Sequence, residues 1–276
     1  MTAARAGARR GAGGTARIVA VGAAAGVLAG IFGVGGGLLL VPGMVMVLGM
    51  DQRRAHGTSL AAIVPIAVAG VAGYALDGKV DWLASLFLIV GSAGVGARVG
   101  TRLLHVLPQR VLALVFAAVL LVTAARMVVA DTDPGGGVEL GAGDAAALVL
   151  AGVVAGTTAG LLGVGGGVIM VPAMVVLVGA PAAVAKGSSL AVIIPTALVG
   201  TAGNVRRGNA DLRAAATIGL SGVVSSFGAS LISVGLDERL SNRLFALLLV
   251  FVGGKMAWDN RRPRPGAPAP PGGAAE

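Results

Sequence analysis

Cysteine is absent from all 276 residues, which removes disulfides, thiolate metal sites and covalent sulfur relays. Histidine is nearly so. His56 and His105 are the only two, too few for a metal cluster, so neither a metal nor another cofactor is expected. Aromatic residues make up 3% of the chain, too sparse for the stacking platforms on which single-stranded nucleic acid is held. Charged residues are 12%, against roughly 25% in ordinary soluble domains. No Asp or Glu lies deep within an apolar run, so the buried carboxylate relay common in pumps is not visible. No Ser/His/Asp set or carboxylate pair stands out, and the chain is read as not being an enzyme.

What is present is apolar. Hydrophobic residues are 56%, and several runs reach the ~20 residues that span a bilayer. The expected fold is therefore all-α and polytopic, with the lipid bilayer as its surroundings. The 47 glycines let helices approach closely where lipid supplies no hydrophobic drive for association. A net charge of +9 would suggest nucleic acid in a soluble protein. Here the basic residues sit in the tails and between apolar runs, where they set orientation, and no nucleic-acid partner is expected.

The chain contains one block twice. GIFGVGGGLLLVP at residues 30–42 returns as GLLGVGGGVIMVP at residues 160–172. The shift of 130 holds without a gap from Gly26/Gly156 through Asp81/Asp211, with 26 identities in 56 aligned positions. Such self-similarity means two copies of one structural unit. Residues 17–32 behind a basic tail imitate a signal peptide, but their counterpart at 147–162 marks them as retained structure. The expected organisation is a disordered basic tail over 1–16, a first transmembrane repeat over 17–130, an acidic linker over 131–144, a second repeat over 145–258 and a disordered Pro/Gly-rich tail over 259–276. Apolar segments fall at 17–32, 36–49, 57–76, 82–104 and 111–130, and again at 145–162, 166–179, 187–203, 212–234 and 243–258. The glycine clusters predict broken or re-entrant helices, since glycine is costly inside a helix.

Lys and Arg favour the cytoplasmic side. Arg5, Arg9, Arg10 and Arg17 put the N-terminus inside; Arg53 and Arg54, then Arg98, Arg102 and Arg110, mark two further inside loops. Residues 77–81 and the acidic linker suit the outside. In the second copy the basic loop carries Arg206, Arg207 and Arg213, at the place equivalent to an outside loop of the first. Arg261, Arg262 and Arg264 put the C-terminus inside. The bias flips between copies, which fits an odd number of crossings per copy and hence an inverted repeat. Lys186 is the one charge that fits poorly. The alternative is four crossings per copy, with parallel repeats and a kink at each glycine cluster.

Candidate site residues follow from the repeat. GVGGG resembles half of a dinucleotide fingerprint, but no strand precedes it and no GK[ST] follows. Backbone N–H groups of Gly33, Gly35, Gly36 and Gly37, and of Gly163, Gly165, Gly166 and Gly167, stand where a helix start can bind an anion through its dipole. A close helix crossing explains the same glycines. Thr58 and Ser59, with Ser188 and Ser189, lie at the expected starts of apolar segments, where a hydroxyl caps the helix or donates to an oxyanion. Pro65 and Pro195 free a carbonyl and permit hinging, or simply kink. His56 and Lys186 occupy matching positions and offer a cation beside each anion site, or are solvated loop residues. Asn204, aligned with Tyr74, is a further candidate for a cavity wall. Asp81 and Asp211 suit helix starts.

These residues, GxxGxGGGxxxVP followed by G-[TS]-S-L-A…P in both halves, resemble the TauE/SafE family of sulfite exporters and anion permeases. The likeness covers about residues 17–258. It implies an integral membrane transporter of small, often sulfur-containing anions such as sulfite or organosulfonates, usually with seven or eight spans. Taken with the residues, the expectation is an inner-membrane, multi-pass exporter of a small anion working by alternating access, with both termini cytoplasmic. A homo-oligomer is left open, and the rival class is a non-transporting membrane scaffold or biogenesis factor.

Overall fold

The computed structural model describes residues 3–96, 118, 121, 124, 125 and 141–261. Among these, all regular structure is helical. The elements are α1 (Ala3–Phe32), α2 (Gly37–Met46), α3 (Gln52–Leu76) and α4 (Trp82–Ile89), the last continuing as a π-helix over Val90–Gly96. In the second half come α5 (Ala142–Leu162), α6 (Gly167–Leu177), α7 (Ala182–Arg206), α8 (Leu212–Val234) and α9 (Glu238–Arg261). The expected segment at 111–130 lies almost wholly outside the described residues, as do most of the linker and the tail beyond 261.

Four helices are long and apolar enough to cross a membrane: Gln52–Leu76, Gly143–Gly160, Ala182–Arg206 and Leu212–Gly235. Helices α2 and α6 have 10 and 11 residues. At ~1.5 Å per residue they reach about half of a hydrocarbon core. The chain breaks ahead of each, at glycines with φ of 70°, 74° and 73° (Gly33, Gly35, Gly36) and of 65°, 82° and 79° (Gly163, Gly165, Gly166). Those left-handed values cost any other L residue roughly 1–2 kcal/mol, which is why the break recurs at the same glycines.

One reading of the sequence needs correction. Helices α3 and α7 begin at Gln52 and Ala182, five residues before the apolar runs do. The N-cap of α3 is Asp51, whose carboxylate accepts from the Arg54 N–H at 3.4 Å. The hydroxyl pairs therefore sit in the second turn and do not cap their own helices.

The two halves interleave. Glycines 22, 26 and 30 of α1 form a stripe against α8, where a methyl group would overlap the carbonyl oxygens of Ile218, Gly222 and Ser226 in turn. On the other side of the molecule, Gly152 and Gly156 of α5 press on Leu88 and Ser92 of α4 and its π-helical continuation. Small residues let these backbones touch. Serines of α8 add hydrogen bonds across the seam: Ser225 to the Ala23 carbonyl at 2.9 Å, Ser233 to Ile31 at 2.9 Å and Ser226 to Ile66 at 2.9 Å. One apolar core results, with Leu40, Met44, Ile63 and Ile66 of the first half and Met170, Met174, Leu190 and Ile193 of the second all fully buried.

Helices α3 and α7 run antiparallel at the centre. Gly57 near the start of α3 lies against Asn204 and Asn209, around the end of α7, while Gly187 near the start of α7 lies against Tyr74 and Lys79. The next helix start is tied in at each end. Asp81 and Asp211 cap α4 and α8, accepting from the N–H groups of Ala84 at 2.9 Å and Ala214 at 3.1 Å. Their own N–H groups donate to Ser188 Oγ at 2.8 Å and Thr58 Oγ1 at 2.9 Å. Each bond joins one half to the other. Thr58→Val with Ser188→Ala should therefore cost about 1 kcal/mol per lost bond, read as a lower melting temperature in detergent; an unchanged melting temperature would show that the ties are idle.

Candidate functional site

One place in the fold is built by both halves in the same way, where the two glycine turns meet. A methyl on Gly37 would stand 2.6 Å from Val164 Cα, and one on Gly167 would stand 2.8 Å from Val34 Cα. Gly33 leaves room for the Lys186 backbone, 2.6 Å from its Cα, and Gly163 for that of His56, at 2.9 Å. Gly36 and Gly166 face the carbonyls of Ala25 and Ala155. Gly35 and Gly165 differ from the rest. At both, the three atoms nearest a built methyl belong to the side chains of Ile63 and Ile193, at 3.1–3.7 Å.

Beyond those turns the helices start. The first bonds of α2 run from Leu39 and Leu40 to the Gly36 carbonyl, and those of α6 from Ile169 and Met170 to Gly166. The N–H groups of Gly35, Gly36 and Gly37, and of Gly165, Gly166 and Gly167, meet no acceptor among the described residues. They are the orphan donors every helix start presents, doubled here by the repeat.

All four hydroxyl residues are fully buried. Thr58 and Ser188 use their oxygens as acceptors for the Asp211 and Asp81 N–H groups. Ser59 Oγ donates to the Gly163 carbonyl at 2.8 Å. Ser189 Oγ, its counterpart, has no hydrogen-bond partner.

The remaining candidates divide. Lys186 is fully buried; its ammonium donates to Ser241 Oγ of α9 and lies 6.0 Å from the Phe245 ring centroid. Phe245 in turn packs on Phe32, with ring centroids 6.0 Å apart. That burial explains why Lys186 fits no orientation rule: its charge is inside the protein and not in a loop. His56 is half-buried, its backbone against Gly163. Pro65 and Pro195 lie inside unbroken helices of 25 residues each, Pro65 seated where Gly219 of α8 has no side chain. Asn204 lies in the last turn of α7: its side-chain amide donates to the Gly200 carbonyl at 2.9 Å, and its backbone carbonyl accepts from the N–H groups of Arg207 and Asn209.

Sequence reasoning passed over Ile63, Ile193, Ser241 and Phe245. The isoleucines are themselves an identity of the repeat and could have been found there. Ser241 and Phe245 lie outside the aligned block, and only their spacing of four on one helix face marks them. No cluster of three or more His, Asp or Glu converges among the described residues. Chemically, the site offers backbone N–H groups, hydroxyls and one buried ammonium, a donor set suited to an anion.

The chain matches the family model described as Sulfite exporter TauE/SafE over residues 2–127 and 148–275. It is 38% identical over 96 residues to "Probable membrane transporter protein YdhB" of Bacillus subtilis (strain 168), covering 35% of this chain and 39% of that one. It is 27% identical over 110 residues to "Probable membrane transporter protein YunE" of the same organism, covering 40% of each. The alignments thus span about two fifths of the length of these two relatives. A "Probable membrane transporter protein" of Xylella fastidiosa (strain 9a5c) is 26% identical over 238 residues, covering 83% of this chain and 89% of the relative. No solved structure matches. With a family match along both halves and helices apolar enough to cross a bilayer, the chain is a multi-pass membrane protein and belongs to the sulfite exporter TauE/SafE family.

Proposed function

We propose that the protein transports a small oxyanion, sulfite or an organosulfonate, across the inner membrane by alternating access between two inverted repeats, 17–130 and 145–258. The observation that carries this reading is the meeting of two helix starts with unpaired N–H groups, together with the buried hydroxyls of α3 and α7. Binding an anion by amides and hydroxyls keeps the site's own charge low, so release costs less than from a cluster of arginines.

The inverted arrangement is supported by the antiparallel course of α3 and α7, which are equivalent helices of the two copies. It is supported as well by the reciprocal ties Asp81–Ser188 and Asp211–Thr58. The charges agree. Helices α1 and α8 run side by side in the same direction, so Arg17 and Arg213 share one end with Arg53, Arg54, Arg206 and Arg207. Arg54 is paired there with Asp211 at 3.3 Å. We assign that end, and both termini, to the cytoplasm. Moving one charge through 100 mV is worth about 2.3 kcal/mol, so a negative-inside potential drives an anion outward and favours export.

The test is flux from proteoliposomes loaded with sulfite, with sulfate and chloride as controls, at a set potential. Sulfite-selective flux that rises with the outward driving force is expected. Folded protein that moves none of the three anions would sink the reading and leave a membrane scaffold in its place.

A further inference from the structure

The two halves of the site carry the same hydroxyl at the same register, yet use it differently. Ser59 Oγ is committed to the Gly163 carbonyl at 2.8 Å. Ser189 Oγ is equally buried, with 0% of the residue exposed, and bonds to nothing. A buried hydroxyl without a partner is costly, and native structures hold few of them. Its place follows from its neighbours. Gly33 rests on Lys186, and Ser189 lies three residues further along α7, one turn up the same helix face. Another turn along, Ile193 meets Gly35, as it also meets Gly165, so Ser189 lies between two positions of α7 that touch the first glycine turn.

We infer that the anion is seated off the centre of the molecule, in the first-half turn, held by the N–H groups of residues 35–37 and by the hydroxyl of Ser189, with Ser59 taking no part in binding. Lys186, buried on the same face, adds positive charge at that side. The second half has no equal: its matching positions are His56 and the committed Ser59. The ligand must supply a hydrogen-bond acceptor to Ser189, as the oxygens of an oxyanion do. The inference rests on the anion-transporter reading for the kind of ligand, but it concerns binding and not movement.

Single substitutions separate the two serines. Alanine is nearly isosteric with serine, so neither variant changes the packing. In ligand-free protein, Ser59→Ala loses a buried hydrogen bond and should melt lower. Ser189→Ala removes an unpaired hydroxyl and should melt about 2 °C higher or more. Calorimetric titration of the full-length protein in detergent with sulfite, and with sulfate and chloride for comparison, should give the opposite order. Ser189→Ala should weaken sulfite binding by roughly tenfold or more, with Ser59→Ala within about twofold of the parent. Equal weakening by both variants, weakening by Ser59→Ala alone, or a Ser189→Ala protein that melts lower would each overturn the off-centre seat. So would wild-type protein that binds no oxyanion. Binding with the expected asymmetry but no flux in proteoliposomes would uphold the seat and remove the transport reading.

Discussion

Alanine at Gly35 and Gly165 together is expected to abolish anion flux in protein that still folds. Both residues hold left-handed φ, 74° and 82°, so each alanine carries a backbone cost of roughly 1–2 kcal/mol. The sum stays within the 5–15 kcal/mol by which typical domains are stable. Space does not forbid the change. The built methyls meet Ile63 and Ile193 at 3.1–3.7 Å, and those side chains can give by a few tenths of an ångström. At Gly36 or Gly37 the obstacle is backbone, which cannot.

What the double variant loses is direction. Alanine relieves its strain by rotating the flanking peptide planes, and the N–H groups of the following glycines turn with them. A scaffold would keep its assembly behaviour after such a change; a transporter of this design would not keep its flux. The measurement pairs size-exclusion and melting of the purified variant with sulfite flux. Near-normal flux from the double variant would remove the glycine turns from the mechanism.

Replacing Lys186 by methionine should have the second large effect. The ammonium is fully buried and reaches α9 through Ser241 and the Phe245 ring. Methionine keeps most of the apolar stem and removes the charge. A charge-assisted contact is worth about 1.5–3 kcal/mol, so flux or affinity for sulfite should fall roughly 10- to 100-fold. Stability should change little or rise, because a buried charge is expensive to hold. Lys186→Arg should not restore transport, since the planar guanidinium needs more room than a point-like ammonium. If Lys186→Met instead unfolds the protein while its surviving fraction transports normally, the lysine is a fastener for α9 and contributes nothing to the anion.

Much of this was readable in advance because it is local or repeated. The glycine turns, the breaks they cause, the two aspartate caps and the matched hydroxyls all come from residue types whose physics acts within a few positions, and the duplication names each twice. Helix starts were harder. Gln52–His56 is polar enough to end an apolar run, yet Asp51 caps the helix ahead of it, and hydropathy does not register a cap. Lys186 misled for a related reason: a charge between two apolar runs looks like a loop residue until a partner helix encloses it. The π-helical stretch Val90–Gly96 leaves no trace in composition. Nor does the interleaving, since nothing in Gly26 tells which of several serine- and glycine-bearing helices it will meet.

That interleaving also sets a schedule for making the protein. Ser225 and Ala23, which are hydrogen-bonded, lie 202 residues apart in the chain. At synthesis rates of about 5–20 residues per second, α1 waits roughly 10–40 s in the bilayer before α8 emerges to cover its glycine stripe. During that interval its small-residue face is open to whatever helix drifts past. The first half is thus not a module that matures and then receives a second; it stays unfinished until nearly the last span has been inserted.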